Sequence, residues 1–204
     1  MAFFASFVFK NTFETSSRFR DKTTQKHFLH SMDGIQLRKA QVSDVERIWQ
    51  IILQAKEQMR LRNSRQWQDG YPAVENIAGD IANGYGYVLL REEEVIAYAA
   101  VIFDGEPVYN SIHGAWLSDY PYVVVHRVAV ADEMKRQGIA TLFMQKIEEL
   151  SREKGIRSFR VDTNFDNVFM LKMFVRLGFV YCGEVFYQGV NRRMAYEKIL
   201  VDKI

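Results

Sequence analysis

The chain reads YVVVHRVAVADEMKRQGIAT from Tyr122 to Thr141. Its apolar first part, Val123–Val130, is too short and too rich in β-branched residues for a helix, so it predicts a buried strand. The polar residues that follow lead to Gly138, where an amphipathic helix begins. Gly155 ends this helix, because glycine adopts the left-handed conformation of a helix C-terminus without steric cost. The stretch therefore predicts a strand and a helix joined by a turn that carries a glycine.

A second strand follows at Ile156–Asp162, and it leads to Asn164, Asn167 and a further amphipathic helix that closes near Gly178. Strand, helix and strand make a βαβ unit, in which the two strands are parallel. The N-terminus of the connecting helix carries free backbone N–H groups and the positive end of the helix dipole. This unit therefore suits an anionic ligand.

The residues around Gly138 resemble the signature of the GNAT superfamily of acyl-CoA-dependent N-acetyltransferases. That signature is Gln/Arg-x-x-Gly-x-Gly/Ala after a strand and at the start of a helix. Here it reads KRQGIA over Lys135–Ala140, with Lys in the first position. The flanking strand and helix, Asn167 and the Gly178-Phe179 ending strengthen the resemblance. It covers about the last half of the chain and can be followed back to Gly34.

The resemblance implies the GNAT fold, a mixed α/β (α+β) fold. Its central sheet would be mixed but mostly antiparallel, with about seven strands, helices on both faces and one splayed parallel strand pair. Periodicity alone predicts only α/β or α+β. It places further elements, in chain order, as a strand at residues 35–38, a helix capped by Ser43 or Asp44, a helix at Val74–Ala82, a hairpin at residues 87–103 and strands at residues 180–187 and 194–200.

Composition sets broad limits on the class of protein. The 204 residues are 48% hydrophobic, and 27 basic against 25 acidic side chains give a net charge of +2. This balance gives no sign of a nucleic-acid or membrane partner. The single cysteine, Cys182, excludes an internal disulfide and suits a cytoplasmic protein. The sequence has no metal-ligand spacing and no apolar run long enough to span a membrane.

Residues 1–31 differ from the rest of the chain. An apolar start at Ala2–Phe9 is followed by a polar stretch without a steady period. It lacks the charged start and the cleavage site of a signal peptide. A mobile tail, an expression remnant and translation from upstream of Met32 all stay open as explanations. We expect residues 1–31 to be an extension outside the fold and residues 32–204 to form one N-acetyltransferase domain.

The resemblance also implies a co-substrate, acetyl-CoA. Its pyrophosphate would meet the start of the helix at Gly138, and its pantetheine would pair with the free edge of Val128–Val130. The N–H of Val130 would then polarise the thioester carbonyl. The implied contacts are Val128, Ala129, Val130, Lys135, Arg136, Gln137, Gly138, Ile139, Ala140, Thr141, Asn164, Asn167, Met170 and Phe174. Helix capping is the other explanation for the two asparagines.

The residues that would act as acid and base differ from those usual in the superfamily. Many members of the superfamily carry a tyrosine four residues before the Gly-Phe pair as the acid, but Phe174 occupies that position here. Tyr181 is a weak substitute, because it is predicted on a strand. The central strand has no glutamate base, so His126 is the candidate base, and regular alternation puts it on the side of Val128 and Val130. A buried structural histidine is the alternative.

Substrate contacts are predicted on two loops, residues 65–72 and 104–120. Their aromatic residues Trp67, Tyr71, Tyr109 and Trp116 are expected to line the site. The function expected from the resemblance is transfer of an acetyl group from acetyl-CoA to a primary amine of a small molecule or peptide. The alternative is a non-catalytic module of the same fold that binds and senses acyl-CoA. We expect no nucleic-acid or membrane partner and no metal, and a homodimer stays open.

Overall fold

The computed structural model describes residues 34–189 and 191–200. The extension expected over residues 1–31 lies outside the described residues. The strands are β1 Gln36–Lys39, β2 Gly86–Arg91, β3 Glu94–Ile102, β4 His113–Gly114, β5 Tyr122–Val130, β6 Ser158–Thr163, β7 Val180–Tyr187 and β8 Asn191–Ile199. The helices are α1 Val45–Leu61, α2 Val74–Ala82, α3 Ile139–Glu153 and α4 Val168–Arg176.

These strands form one mixed sheet in the order β1-β2-β3-β5-β6-β8-β7-β4. Among the described strands, β5 and β6 are the one parallel pair, and every other neighbouring pair is antiparallel. The predicted GNAT fold is therefore confirmed. The sheet has eight strands because the two-residue β4, inside the long loop before β5, adds to the edge at β7.

The parallel pair separates after a few residues. β5 pairs with β6 only where Tyr122–Val124 meets Ser158–Arg160. β5 nevertheless continues to Val130, and β6 continues to Thr163. The two strands therefore splay apart and leave a V-shaped gap in the middle of the sheet, as the resemblance implies.

The central strand β5 also carries one extra residue, a β-bulge. His126 lies opposite Ala100 and Ala129 lies opposite Tyr98, so two residues of β5 face one residue of β3. Arg127, at the bulge, has the left-handed φ of 56°. This conformation is uncommon outside glycine, and it turns the strand locally.

The bulge overturns the alternation expected for His126. A regular strand would place this residue on the side of Val128 and Val130. Its β3 partner and the β3 partner of Ala129 are two residues apart and so share one face of the sheet. His126 therefore shares its side with Ala129, and the expectation for Val128 and Val130 is wrong.

Two clusters of buried apolar residues meet at β5. The larger cluster holds Phe143 of α3 together with Val123 of β5 and Val161 of β6. The smaller cluster holds Val124 of β5 together with Tyr109 of the loop before this strand. Val123 and Val124 are neighbours on β5 and therefore point to opposite faces of the sheet.

A buried ion pair fixes the long loop before β5 to the sheet. Glu197 on β8 is fully buried, and its Oε1 lies 3.3 Å from Nε of Arg160 on β6. The same carboxylate accepts hydrogen bonds from the hydroxyl of Ser118, at 2.7 Å, and from the N–H of Leu117. The loop is therefore held in place.

The start of α1 differs from the sequence expectation. Asp44 directly precedes the helix, but its side chain does not cap α1. Its carboxylate accepts from the N–H of Gln41 at 2.7 Å and pairs with Arg38. Asp44 therefore stabilises a turn of 3-10 helix ahead of α1.

Candidate active site

The gap between the splayed strands opens into a cleft of about 1150 Å³. Its floor is formed by Val125–Val130 of β5 and by Val161–Thr163 of β6. The start of α3 lies at the cleft, and the connection between α1 and α2 lies over it. The fold therefore brings the residues singled out in the sequence around one space.

The start of α3 presents unpaired backbone donors to this cleft. Gly138 precedes the helix in the left-handed conformation, with φ of 77°. The first helical hydrogen bond runs from the N–H of Leu142 to the Gly138 carbonyl, at 2.9 Å. The N–H groups of Ile139, Ala140 and Thr141 consequently have no acceptor within the helix. Together with the helix dipole they form an anion-binding arrangement.

Three cations surround this helix start. Arg136 is exposed at the cleft, and Lys135 lies beside it in an ion pair with Asp132. Arg176, at the end of α4, donates from Nη2 to the hydroxyl of Thr141 at 3.1 Å. Arg176 was not recognised in the sequence, because α4 and the start of α3 meet only in the folded chain. These charges favour a phosphate-bearing ligand.

All of the expected cofactor contacts except Gln137 line the cleft. Gln137 donates its side-chain amide to the carbonyl of Glu133 instead, at 2.9 Å. Asn167 caps α4, because its Oδ1 accepts from the N–H of Met170 at 3.3 Å. Asn164 is buried and has both ends of its amide in use within the protein. Helix capping is therefore present, and it is performed by Asn167.

The connection between α1 and α2 crosses the cleft and touches the opposite wall. The Nδ2 of Asn167 donates to Oε1 of Gln66 at 2.9 Å. The N–H of Arg65 donates to Oδ2 of Asp166 at 3.2 Å. These contacts join parts of the chain 101 residues apart in sequence. A ligand along the splayed strands would lie beneath this segment.

The backbone N–H of Val130 is directed into the gap between the splayed strands. Val130 pairs with Ala97 on β3, and the next residue, Ala131, donates its N–H to the carbonyl of Ile96 at 2.9 Å. In an antiparallel ladder, successive N–H groups point alternately to the two edges of a strand. The Val130 donor therefore points to the edge from which β6 has separated.

An imidazole and a carboxylate meet on the floor of the cleft. Nε2 of His126 lies 2.9 Å from Oε2 of Glu106, and its Nδ1 lies 3.9 Å from Oδ1 of Asp162. Burial tends to raise the pKa of Glu106, but the hydrogen bond with His126, the charge of His126 when it is protonated, the N–H of Val108 and the charge of Arg127 together lower the pKa. Glu106 is therefore ionised near neutral pH, and a carboxylate can only accept. Nε2 must then carry the proton, which leaves Nδ1 of a neutral His126 as an acceptor.

Two phenols, one buried and one half-buried, hold Asp162 beside this pair. Tyr109 donates to Oδ1 of Asp162 at 2.7 Å, and Tyr187 donates to the same oxygen at 3.0 Å. Burial, and next the charge of Asp162, raise the pKa of both phenols. Both therefore stay protonated at neutral pH and keep donating to the carboxylate.

The bulge of β5 is fixed by a second ion pair at the rim of the cleft. Arg127 donates from Nε to Oδ2 of Asp80 on α2 at 2.8 Å, and it also donates to the hydroxyl of Tyr71. The same carboxylate accepts from the hydroxyl of Tyr98 at 2.5 Å. Arg127 thus ties the bulge to α2 and to the connection that covers the cleft.

Phe174, Tyr181 and Cys182 differ in their access to the cleft. Phe174 lines the cleft and is only 1% exposed, and it packs against Phe179 and Tyr196. Tyr181 packs against Tyr196 and does not line the cleft. Cys182 is buried outside the cleft, and burial raises the pKa of its thiol. Neither Tyr181 nor Cys182 is placed to take part in chemistry there.

The aromatic residues expected at the substrate divide into two pairs. Trp67 and Tyr71 line the cleft. Tyr109 and Trp116 do not line it, contrary to the expectation, because their rings pack at 5.0 Å in the smaller core. Tyr109 lies behind the lining of the cleft, and its hydroxyl donates to Asp162. The sequence does not show that this long loop folds back onto the sheet, so it does not predict that the two rings are packed there.

Among the described helices, none is long and apolar enough to cross a membrane. Within residues 34–189 and 191–200, no three His, Cys, Asp or Glu side chains are grouped as metal ligands.

Comparisons with known proteins agree with this geometry. Residues 46–179 match the model of the acetyltransferase (GNAT) family. The crystal structure of a GNAT-family acetyltransferase from Streptococcus agalactiae 2603 is similar, with 35% sequence identity and a TM-score of 0.75. That match covers 84% of this chain and 98% of the other. No curated protein sequence matches this chain.

More distant structures share the fold alone. A GNAT-family acetyltransferase from Listeria monocytogenes 4b F2365 has 20% identity and a TM-score of 0.66, covering 81% of this chain and 94% of that chain. The ribosomal-protein-S18-alanine N-acetyltransferase from Escherichia coli has 12% identity and a TM-score of 0.56, covering 83% and 96%.

Proposed function

This chain belongs to the GNAT acetyltransferase family, and we propose that it transfers an acetyl group from acetyl-CoA to a primary amine of a small molecule or peptide. One observation carries the proposal: a single cleft holds both an anion-binding helix start and the His126–Glu106 pair. The first suits the phosphates of a cofactor, and the second suits removal of a proton from an amine.

The residues present fit acetyl-CoA. The free N–H groups at the start of α3, with Arg136 and Arg176 beside them, would hold the pyrophosphate. The unpaired edge of β5 offers backbone groups to the pantetheine amides, as an added strand would use them. When bound, acetyl-CoA supplies the acetyl group as a thioester. The N–H of Val130 would donate to the thioester carbonyl oxygen and stabilise the negative charge that develops there.

His126 is the residue that would take the proton from the attacking amine. Glu106 fixes its tautomer by accepting from Nε2, so that Nδ1 receives the proton directly or through one water. The thiolate of the departing CoA must gain a proton as well. Phe174 has no proton to donate, so solvent would supply it.

The test is release of free thiol from acetyl-CoA by the full chain, across a panel of small amines, amino acids and peptides. Mass spectrometry would confirm that each product has gained one acetyl group. We expect turnover with at least one amine. Tight binding of acetyl-CoA without turnover of any amine would instead support the non-catalytic sensing module.

A further inference from the structure

Arg193 of β8 is a cation in the cleft wall that has no counter-ion among the described residues. Its side chain is half-buried and lines the cleft. Within the described residues its one side-chain hydrogen bond runs from Nη1 to Oδ1 of Asn164, at 3.3 Å. No carboxylate of that part of the chain pairs with it.

Two other arginines of the sheet with little exposure are neutralised. Arg127, in the same cleft, pairs with Asp80, and Arg160 on β6 pairs with Glu197. Removing a guanidinium from water is costly unless an anion compensates it. Arg193 therefore offers a half-buried positive charge that a ligand's anionic group would complement.

The register of the sheet shows which face Arg193 lies on. Arg193 pairs with Val185 on β7, and two residues further along β8, Ala195 pairs with Asp162 on β6. Residues two apart on a strand share a face. Arg193 consequently lies on the face of the sheet that carries Asp162.

The position of Arg193 distinguishes it from the cations at the proposed phosphate site. Arg136 and Arg176 lie beside the start of α3, whereas Arg193 lies beside Asn164 and on the face of Asp162. Arg193 lies two residues, about 7 Å, along β8 from Ala195, and Ala195 pairs with Asp162, whose carboxylate faces Nδ1 of His126.

We propose that the acceptor is a small amino-acid-like molecule, whose carboxylate binds Arg193 while its amine meets His126. A guanidinium is the side chain best suited to a carboxylate, because its planar N–H groups match the two oxygens. Asn164 positions the guanidinium through Nη1 and leaves its other N–H groups for the ligand. This inference rests on the proposed acetyl transfer and identifies the substrate class.

The first experiment compares matched substrates. The full chain would be assayed with acetyl-CoA and with glycine, L-leucine, L-methionine and L-phenylalanine, each against its own carboxamide. We expect at least one amino acid to be preferred over its carboxamide about tenfold or more in kcat/KM, because a site built for a charged partner rejects the analogue that lacks it. The amine of a carboxamide is less basic and more often neutral, so intrinsic reactivity would act in the opposite direction.

Variants assign this preference to Arg193. Arg193→Gln should abolish it, mainly by raising KM for the amino acid, and Arg193→Lys should restore part of it. Arg60→Gln is the charge-matched control, since Arg60 is exposed on α1, pairs with Glu57 and does not line the cleft. The proposal would be overturned if carboxamides and amino acids were acetylated equally well, or if the preference for amino acids persisted in Arg193→Gln.

A binding measurement separates this proposal from the proposed activity. Calorimetry in the presence of CoA would compare the N-acetyl amino acids with their carboxamides, which requires no turnover. Selective binding of the carboxylates that Arg193→Gln removes would support the subsite even if no amine were acetylated, and then only the acetyl transfer would fail. Equal or absent binding of both, together with no preference in turnover, would show that Arg193 does not select a carboxylate.

Discussion

Nε2 of His126 lies 2.9 Å from Oε2 of Glu106 across the floor of the cleft. This contact joins the central strand to the loop that precedes it, and it fixes which imidazole nitrogen carries the proton. The same imidazole faces Asp162 through Nδ1. A histidine that would otherwise be a packed strand residue thereby becomes a candidate base.

Replacing Glu106 with glutamine should lower turnover by about ten- to a hundredfold. A glutamine side chain can donate as well as accept, so it no longer fixes the tautomer of His126. Affinity for acetyl-CoA should stay unchanged, since the change lies away from the start of α3. Steady-state kinetics and calorimetry would measure the two effects. Glu57→Gln, which removes an exposed carboxylate paired with Arg60, is the control and should change neither.

The pKa of Glu106 also predicts how stability depends on pH. Burial acts to raise this pKa, yet the contacts with His126, Val108 and Arg127 together lower it below its ordinary value of 4.5. A lowered pKa stabilises the fold above the ordinary value, and the contribution is lost as pH falls through the folded pKa. The difference in free energy of unfolding between the wild-type chain and Glu106→Gln should stay constant above about pH 5 and shrink below it. Urea unfolding from neutral to acidic pH would measure it, and a difference that grows toward acid would contradict the expectation.

Gly138→Val should weaken acetyl-CoA binding more than tenfold, about 1.4 kcal/mol or more. The left-handed conformation at Gly138 is strained for a β-branched residue, and the start of α3 would have to change to relieve it. Gly155→Val is the matched control. Gly155 has φ of 72° after the other end of α3, and nothing lies within 4 Å of an added Cβ there. Calorimetry should show lost affinity for the first variant only, and equal losses would mean that helix stability is the cause.

The sequence predicts local structure here better than it predicts long-range arrangement. The left-handed glycines around α3 and the period of its apolar face are visible within a few residues of chain. The bulge at Arg127 is not visible, because the apolar run around it reads as one regular strand. The strand order depends on pairing between distant parts of the chain, and the sequence did not predict it; only the family resemblance suggested one mixed, mostly antiparallel sheet.

The candidate site shows the same difference between local and long-range features. The start of α3 could be named in sequence because one short segment builds it. Glu106 could not, because it reaches His126 across 20 residues from a polar loop without any period. Asp162 and Arg193 were not identified in the sequence for the same reason, because the role of each depends on its neighbours on other strands. Tyr109 and Trp116 were placed on the cleft wall because their loop was expected to cover the site.

Asp80→Asn should destabilise the protein by about 3 kcal/mol, because it leaves Arg127 without its counter-ion. Both side chains are largely buried, 12% exposed for Arg127 and 8% for Asp80. The double variant Asp80→Asn/Arg127→Gln should lose less than the sum of the two single losses, since the charges are removed together. Urea unfolding of the four proteins would measure the coupling. Strictly additive losses would show that the ion pair does not hold the bulge.

Phe174→Tyr tests how the reaction proceeds without the tyrosine usual in the family. Phe174 lines the cleft and is packed against Phe179 and Tyr196, each ring at 5.5 Å. The added hydroxyl should cost about 1–3 kcal/mol at most if it is accommodated, the range for overpacking a core. Acetyl-CoA affinity should be kept, and turnover should be equal or higher, because a phenol can donate a proton to the departing thiolate.

The matched control for this variant is Phe179→Tyr. Phe179 belongs to the same aromatic group and is buried, but it does not line the cleft, so its hydroxyl cannot reach the reaction. A gain in turnover for Phe174→Tyr, without one for Phe179→Tyr, would assign the effect to proton donation within the cleft. If Phe174→Tyr bound acetyl-CoA normally but lost all turnover, the phenyl ring itself would be shaping the site. In that case solvent protonation of the thiolate would no longer explain why a phenylalanine works at this position.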